Sequence, residues 1–300
     1  MAIIDPHHHL WDLSRLNYPW LAEEDKTTFF GSYAALAKNY LAQDYLADTV
    51  GQEITASVHI QAEADPLDPV AETRWLSEAA QQSDKIGGAA IPTAVVAYAD
   101  FTHADIDTIL AAHCQFDRVR GIRQILNHHK DETLSYTTEN LLANARWQKN
   151  FALLKKYKLS FDLQIYYQQM EQAAQLADKH PDTQIILNHT GMPVEQGPAG
   201  VEAWREGMAR LAACPNVAVK ISGLGMAIPQ WTVERIRPFV MDTIDRFGVG
   251  RCMFASNFPV DSLFGSYKKL YGAFNTIVSE FSDQQRNQLF HDNAAHFYRL

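Results

Sequence analysis

Eight short apolar runs punctuate the chain, over residues 3–5, 56–61, 89–98, 119–126, 159–166, 184–189, 217–222 and 252–256. Each is continuous rather than alternating, the pattern of a strand buried on both faces, as in a parallel sheet. Amphipathic stretches at helical spacing lie between them. Val201, Trp204, Met208 and Leu211 repeat at three and four residues. Trp75, Leu76 and Ala79 share the segment 70–82, and Leu142, Ala145, Phe151 and Leu154 fall near one stripe with Trp147 beside it. Strand then helix, repeated, predicts right-handed βα units. Eight of them predict a closed (β/α)8 α/β barrel of TIM type, one domain over residues 1–300. An open doubly wound sheet is the alternative. Its nucleotide-binding form is weakened because no GxGxxG or GxxxxGK(S/T) follows any run. The connection 13–48 is long for a first βα loop and rich in aromatic residues, so it is expected to cover the mouth or to contact a partner.

Composition alters this picture little. At 47% hydrophobic and 20% charged over 300 residues, the balance is that of an ordinary globular protein. A net charge of −9 with no basic patch argues against nucleic acid, yet leaves room for an anionic or sugar-derived small molecule. Cys114, Cys214 and Cys252 stand far apart in no metal spacing and are expected as reduced, packed thiols in a cytoplasmic setting. No signal-like run opens the sequence, and no apolar stretch is long enough to cross a bilayer. A monomer and a homodimer are both compatible with these features.

Residues two apart on a strand share a face, so His7 and His9 point one way and His8 the other. Two imidazoles at the mouth of a barrel bind a metal or an anion. Asp5 is counted on their face, as a group to orient one of them. The same parity pairs His59 with Gln61 (Glu63 beyond), Gly121 with Arg123, Asp162 with Gln164, and Lys220 with Ser222. His189 ends the sixth run before the turn Thr190-Gly191-Met192-Pro193, and Asn257 follows the eighth. Polar residues at the ends of successive strands are the pattern of a barrel active site. Trp11, Trp20, Tyr18 and Tyr40 supply either an aromatic wall for a ring-shaped ligand or plain core packing.

The segments DPHHHLWD, VHIQAE, VRGIRQIL, FDLQI, ILNHTGMP, VKISGL and MFASNFPVD, in this order, resemble the amidohydrolase superfamily through essentially the whole chain. Within it the chain is similar to the branch of 2-pyrone-4,6-dicarboxylate lactonases and fuconolactonases. The resemblance implies a distorted barrel. His7, His9 and His189 would hold one divalent metal, zinc or manganese, as in many members, or none, as in others. It further implies that His189, Asn257, Arg123 and Lys220 carry the chemistry, with Arg123 and Lys220 gripping a carboxylate or polarising the lactone carbonyl. His59, Gln61, Asp162, Gln164 and Trp11 would contact substrate. The departure is at the eighth strand. The family pattern there is S-D-x-P, and this chain has Ser256-Asn257-Phe258-Pro259. Asparagine accepts no proton at neutral pH. Asp162, Glu63 and His189 are the remaining candidate bases, and Asp261, beyond a proline, is not expected to reach the same point. The implied function is hydrolysis of a lactone of a sugar acid or of a small carboxylated ring, since a lactone is reactive enough for a weakened base. A metal-dependent decarboxylase of the same superfamily, or a binding barrel that has lost catalysis, are the alternatives.

Overall fold

The structure, a computed structural model, describes residues 1–84 and 90–300. Eight strands form one sheet: β1 (Ala2–His8), β2 (Glu53–Ile60), β3 (Ala94–Tyr98), β4 (Val119–Ile125), β5 (Ser160–Gln164), β6 (Ile185–Leu187), β7 (Val217–Ile221) and β8 (Cys252–Phe254). Each pairs in parallel with the next in chain order. All eight expected runs become strands, although Ala89, placed in the third run, lies outside the described residues. The seam between β1 and β8 closes just past their regular ends. There His9 N–H donates to Phe258 O and Asn257 N–H to His7 O, both at 2.7 Å. The result is a nearly closed barrel ringed by helices, among them Ala71–Asp84, Pro198–Ala212 and Val233–Phe247. Among the described residues no helix is long and apolar enough to cross a membrane.

The single helical stripe expected near 142–154 is broken. A 3-10 turn, Leu141–Ala143, precedes the helices Ala145–Phe151 and Leu153–Tyr157. Asn144 is the cause of the first break. Its side chain accepts from the N–H groups of Arg146 and Trp147, which starts a new helix instead of continuing the old one. Of the three thiols, Cys214 and Cys252 are buried as expected, whereas Cys114 is exposed.

Strand parity sorts side chains between two apolar clusters. Ile4, Ala56, Val58, Ile60, Ala94, Val96, Ile186, Ala218 and Met253 pack inside the barrel against Ala294, Phe297 and Tyr298 of the last helix, which plugs the floor. The alternate residues, such as Ile3, Val95, Ile122 and Phe161, pack outward on the helices. The short apolar runs are continuous because both faces are covered.

One departure from parity decides where the site stands. Asp5 pairs with Ser57 and His8 with His59, so β1 holds one residue more than β2 over this span, a bulge at Pro6. Past the bulge His7 and His9 point inward, as predicted. Asp5 is moved to the opposite face, which corrects the expectation that it orients a histidine ring. It instead receives Ser256 N–H at 3.0 Å, Ser256 O–H at 2.6 Å, Tyr45 O–H at 3.0 Å and Tyr267 O–H at 3.2 Å. Burial raises this carboxyl above its ordinary value, and the Ser256 and Tyr45 donors pull it back.

Asp5 therefore ties β1 to the end of β8. Asp5→Ala is expected to lower the unfolding free energy by about 3 kcal/mol or more, the worth of at least two hydrogen bonds to a charged group. Urea unfolding checks this. A loss below about 1 kcal/mol, the level of an ordinary neutral hydrogen bond, would show that the seam does not depend on Asp5.

Candidate active site

Above its apolar floor the barrel interior turns polar. Lys220 of β7 is fully buried and contacts Asp162 of β5, with Pro6 O a further acceptor at 3.4 Å. Tyr298, from the plugging helix, donates to the same Asp162 oxygen at 2.8 Å. Burial lowers the Lys220 ammonium to about 8, and Asp162 opposes that fall. The pair lies under His7. Both His7 ring nitrogens are buried without a partner, and its ring sits 5.0 Å from that of His9 and 4.5 Å from that of His189. Burial holds all three imidazoles neutral, and Arg123 adds to the effect at each.

Hydrogen bonds then fix which nitrogens are free. His9 Nδ1 lies 2.7 Å from Ile60 O, and a carbonyl only accepts, so Nδ1 carries the proton and Nε2 a lone pair. His189 Nδ1 lies 3.0 Å from Ser222 Oγ. The close fit of this ring requires Gly223, since a Cβ there would stand 2.5 Å from His189 Nδ1, on a backbone at φ +60°. Three strand ends share a device. Glu63 (φ 56°), His189 (φ 55°) and Asn257 (φ 57°) adopt the left-handed conformation, at about 1–2 kcal/mol for an ordinary residue and less for asparagine. Non-glycine residues in this conformation cluster at functional sites.

These groups open onto a cavity of about 590 Å³ at the C-terminal mouth of the barrel, bounded by His9, Trp11, Arg123, Gln164, His189 and Asn257. Among the described residues lining it, Arg123 is the only lysine or arginine. It is buried, donating from Nη1 to Gln164 Oε1 at 3.0 Å and from Nη2 to Gln61 O, and its Nε–H has no partner. The rest of the lining is rich in hydroxyl groups, from Thr27, Thr28, Thr133, Ser135 and Thr137, with Tyr33, Tyr98 and Tyr136. The long first connection supplies part of it, so that loop does cover the mouth. Trp11 and Trp20 meet edge to face at 5.6 Å on the cavity wall, whereas Tyr40 packs behind Trp11.

Several predicted residues stand elsewhere. Val58 and Ile60 point inward, so His59 faces outward and is buried behind the strand. Its Nδ1 accepts from Leu10 N–H at 3.0 Å, and its Nε2 stands 3.5 Å from Glu72. With His59 pushed down to about 3 by burial and Glu72 up to about 8, this is a contact of neutral groups. Gln61 does not line the cavity but supports it, its carbonyl accepting from Arg123 and its side-chain amide bonding Glu63. Asp162 and Lys220 lie beneath the cavity wall. Of the candidate bases, Glu63 and His189 line the cavity and Asp162 does not. Burial raises the Glu63 carboxyl, against the pull of Arg123.

Asp261 was passed over and is present. The 3-10 turn Val260–Leu263 folds back, so that Asp261 N–H donates to Asn257 O at 3.0 Å and Asn257 Nδ2 donates to Asp261 Oδ1 at 2.8 Å. Burial lifts this carboxyl to about 7. A proline in the sequence reads as a break, and nothing local signals that the turn after it returns.

The donors were tested against a metal. Three neutral imidazoles are suitable ligands in kind. Among the described residues, however, no three His, Cys, Asp or Glu side chains are arranged to hold an ion. Asn257 also replaces a carboxylate, and the nearby charges of Arg123 and Lys220 oppose a cation. The arrangement does not fit a metal centre.

Comparison with known proteins places this geometry. The amidohydrolase family model matches residues 4–300. An uncharacterized protein, y4mH, of Sinorhizobium fredii is 49% identical over 301 residues, covering 100% of this chain and 99% of that one. An L-fucono-1,5-lactonase of Burkholderia ambifaria is 26% identical over 304 residues, covering 99% of this chain and 95% of that one. The crystal structure of an amidohydrolase from Burkholderia multivorans with bound zinc superposes with a TM-score of 0.81 at 23% identity, covering 100% of both chains. Strand order, the histidine cluster at the barrel mouth and the family match over nearly the whole length agree: the chain belongs to the amidohydrolase family, as a lactonase-like hydrolase.

Proposed function

We propose that this enzyme hydrolyses the lactone of a sugar acid, and that its substrate carries no more than one carboxylate. The observation that carries this is the charge count of the cavity, a single guanidinium, Arg123, in a lining rich in hydroxyl groups. A dicarboxylated ring would bring two anionic groups to one cation, with Glu23 and Glu63 also on the wall. Burying an unpaired charge is costly. A polyhydroxylated ring instead finds hydroxyl partners among the serine, threonine and tyrosine side chains of the lining and apolar contact on Trp11 and Trp20. The kinship to L-fucono-1,5-lactonases supports the same class.

Each residue then has a role. His9 Nε2, with its lone pair free, takes a proton as water adds to the lactone carbonyl carbon. Negative charge develops on the carbonyl oxygen, where Arg123 donates from its unpartnered Nε–H. The ring C–O bond breaks, and the leaving alkoxide takes a proton from the His9 imidazolium. His189 stands beside the reacting carbon as a second neutral ring. Lys220 and Asp162 support His7 from below and stay off the substrate. No step is assigned to a metal.

Proton release on a panel of lactones tests the substrate class. Aldonolactones are expected to give kcat/KM at least tenfold above 2-pyrone-4,6-dicarboxylate, a gap of about 1.4 kcal/mol or more. Preference for the dicarboxylate, or carbon dioxide release from a hydroxybenzoate with no lactone turnover, would overturn the proposal. On a turned-over lactone, Arg123→Gln is expected to lower kcat by about 10²–10³. Dialysis against a chelator is expected to leave kcat unchanged, and a loss restored by zinc would reverse the conclusion on the metal. Because burial holds His9 neutral well below its ordinary 6.5, kcat is expected to be flat from pH 6.5 to 7.5, and an acid limb inside that window would argue against His9 as the base.

A further inference from the structure

The geometry points to Asp261 as a positioning residue: by gripping the Asn257 amide nitrogen it turns Asn257 Oδ1 toward His9, and the two acceptors together orient the attacking water. This rests on the lactone hydrolysis proposed above. Three contacts carry it. Asp261 Oδ1 accepts whether the carboxyl is ionised or carries its proton on the unpartnered Oδ2, so the atom of Asn257 at 2.8 Å from Oδ1 is the NH2 group. The amide oxygen then faces His9 Nε2 at 3.4 Å. That nitrogen is itself a bare acceptor, because Nδ1 holds its proton against Ile60 O at 2.7 Å. Two acceptors face each other with no hydrogen between them. A molecule with two O–H groups satisfies both at once, and water is such a molecule. Its hydrogens go to His9 Nε2 and Asn257 Oδ1, which leaves an oxygen lone pair for the lactone carbon.

The reversed amide would disable the site. With NH2 toward His9, an N–H would donate to Nε2 and occupy the lone pair that must take the proton. Asp261 excludes that arrangement. Stability alone does not account for its presence. The side chain is 4% exposed and its Oδ2 has no partner, an arrangement that costs about 1–3 kcal/mol. The carboxyl that the resemblance puts at the end of the eighth strand thus stands one hydrogen bond further back, acting through an asparagine.

The test is the exchange of the two residues. Asp261→Asn presents either amide atom to Asn257, so the orientation is lost. On a turned-over lactone kcat is expected to fall about tenfold or more with KM unchanged, part of the worth of a general base. The double variant N257D/D261N restores an acceptor toward His9 whichever way residue 257 turns, and kcat is expected to return to within about threefold of the parent. A packing role would give the single and double variants the same defect. Histidine 15N NMR gives a reading that needs no substrate, with the His9 Nε2 resonance identified by its loss in His9→Gln. That resonance is expected to move toward a hydrogen-bonded acceptor in D261N and to return in the double variant. If the parent opens no lactone, the NMR result still decides the orientation, so the two failures are distinguishable. Should D261N fail to fold, Asp261→Ser, too short to reach the amide, takes its place with the same expectations. Unchanged kcat and resonance in the single variant, or a folded double variant as impaired as the single, would overturn the proposal.

Discussion

The seam between the first and last strands is the contact on which the site depends. In a barrel every strand but one pair is joined through a helix that holds it to its neighbour. The remaining pair, β1 and β8, comes from opposite ends of the sequence and must be joined by direct bonds. Here a buried carboxylate, Asp5, receives two donors from Ser256 and two from tyrosines on the surrounding shell. The next residues along each strand are His7, His9 and Asn257. Their mutual placement is therefore set by the closure itself, and a shift of the seam by one residue would separate His9 from Asn257.

Burial then sets the chemistry. An imidazole in water is partly protonated near neutrality. Under the lid, and next to Arg123, the three rings of the site are held neutral. Neutral rings have lone pairs, and which nitrogen offers one is decided by a backbone carbonyl behind His9 and a serine beside His189. The one positive charge among the described lining residues is kept apart from these rings, on a guanidinium that two glutamine groups hold in place. Lys220 stands apart from it, held beneath the cavity by Asp162, which Tyr298 also bonds.

Most of the frame was legible in the sequence, because a strand covered on both faces must be apolar throughout. Parity placed Arg123, Gln164 and Ser222 inward correctly, since the one irregularity in those strands, between Val119 and Gly121, falls before the residues that parity was used to sort. It failed for Asp5, where one extra residue at Pro6 reverses the faces. It said nothing about which of the two faces His59 takes, and that residue proved to look outward into the helix layer. Asp261 was not legible at all. Its contact with Asn257 is made by a turn that bends the chain back on itself, and hydrophobic spacing carries no record of such a bend. The hydroxyl wall was hidden for a similar reason, being assembled from two connections far apart in sequence, 13–48 and 126–144.

That wall divides the labour of the protein in a way that bears on its descent. The groups that move protons and bear charge project from the ends of strands, where a change of backbone would disturb the barrel. The groups that line the rest of the cavity sit largely on two connections, the first of which also sends Tyr45 to the Asp5 seam. Residues of those connections that do not touch the seam can change while the strand ends stay as they are, so the mouth of this barrel can be reshaped on a constant frame.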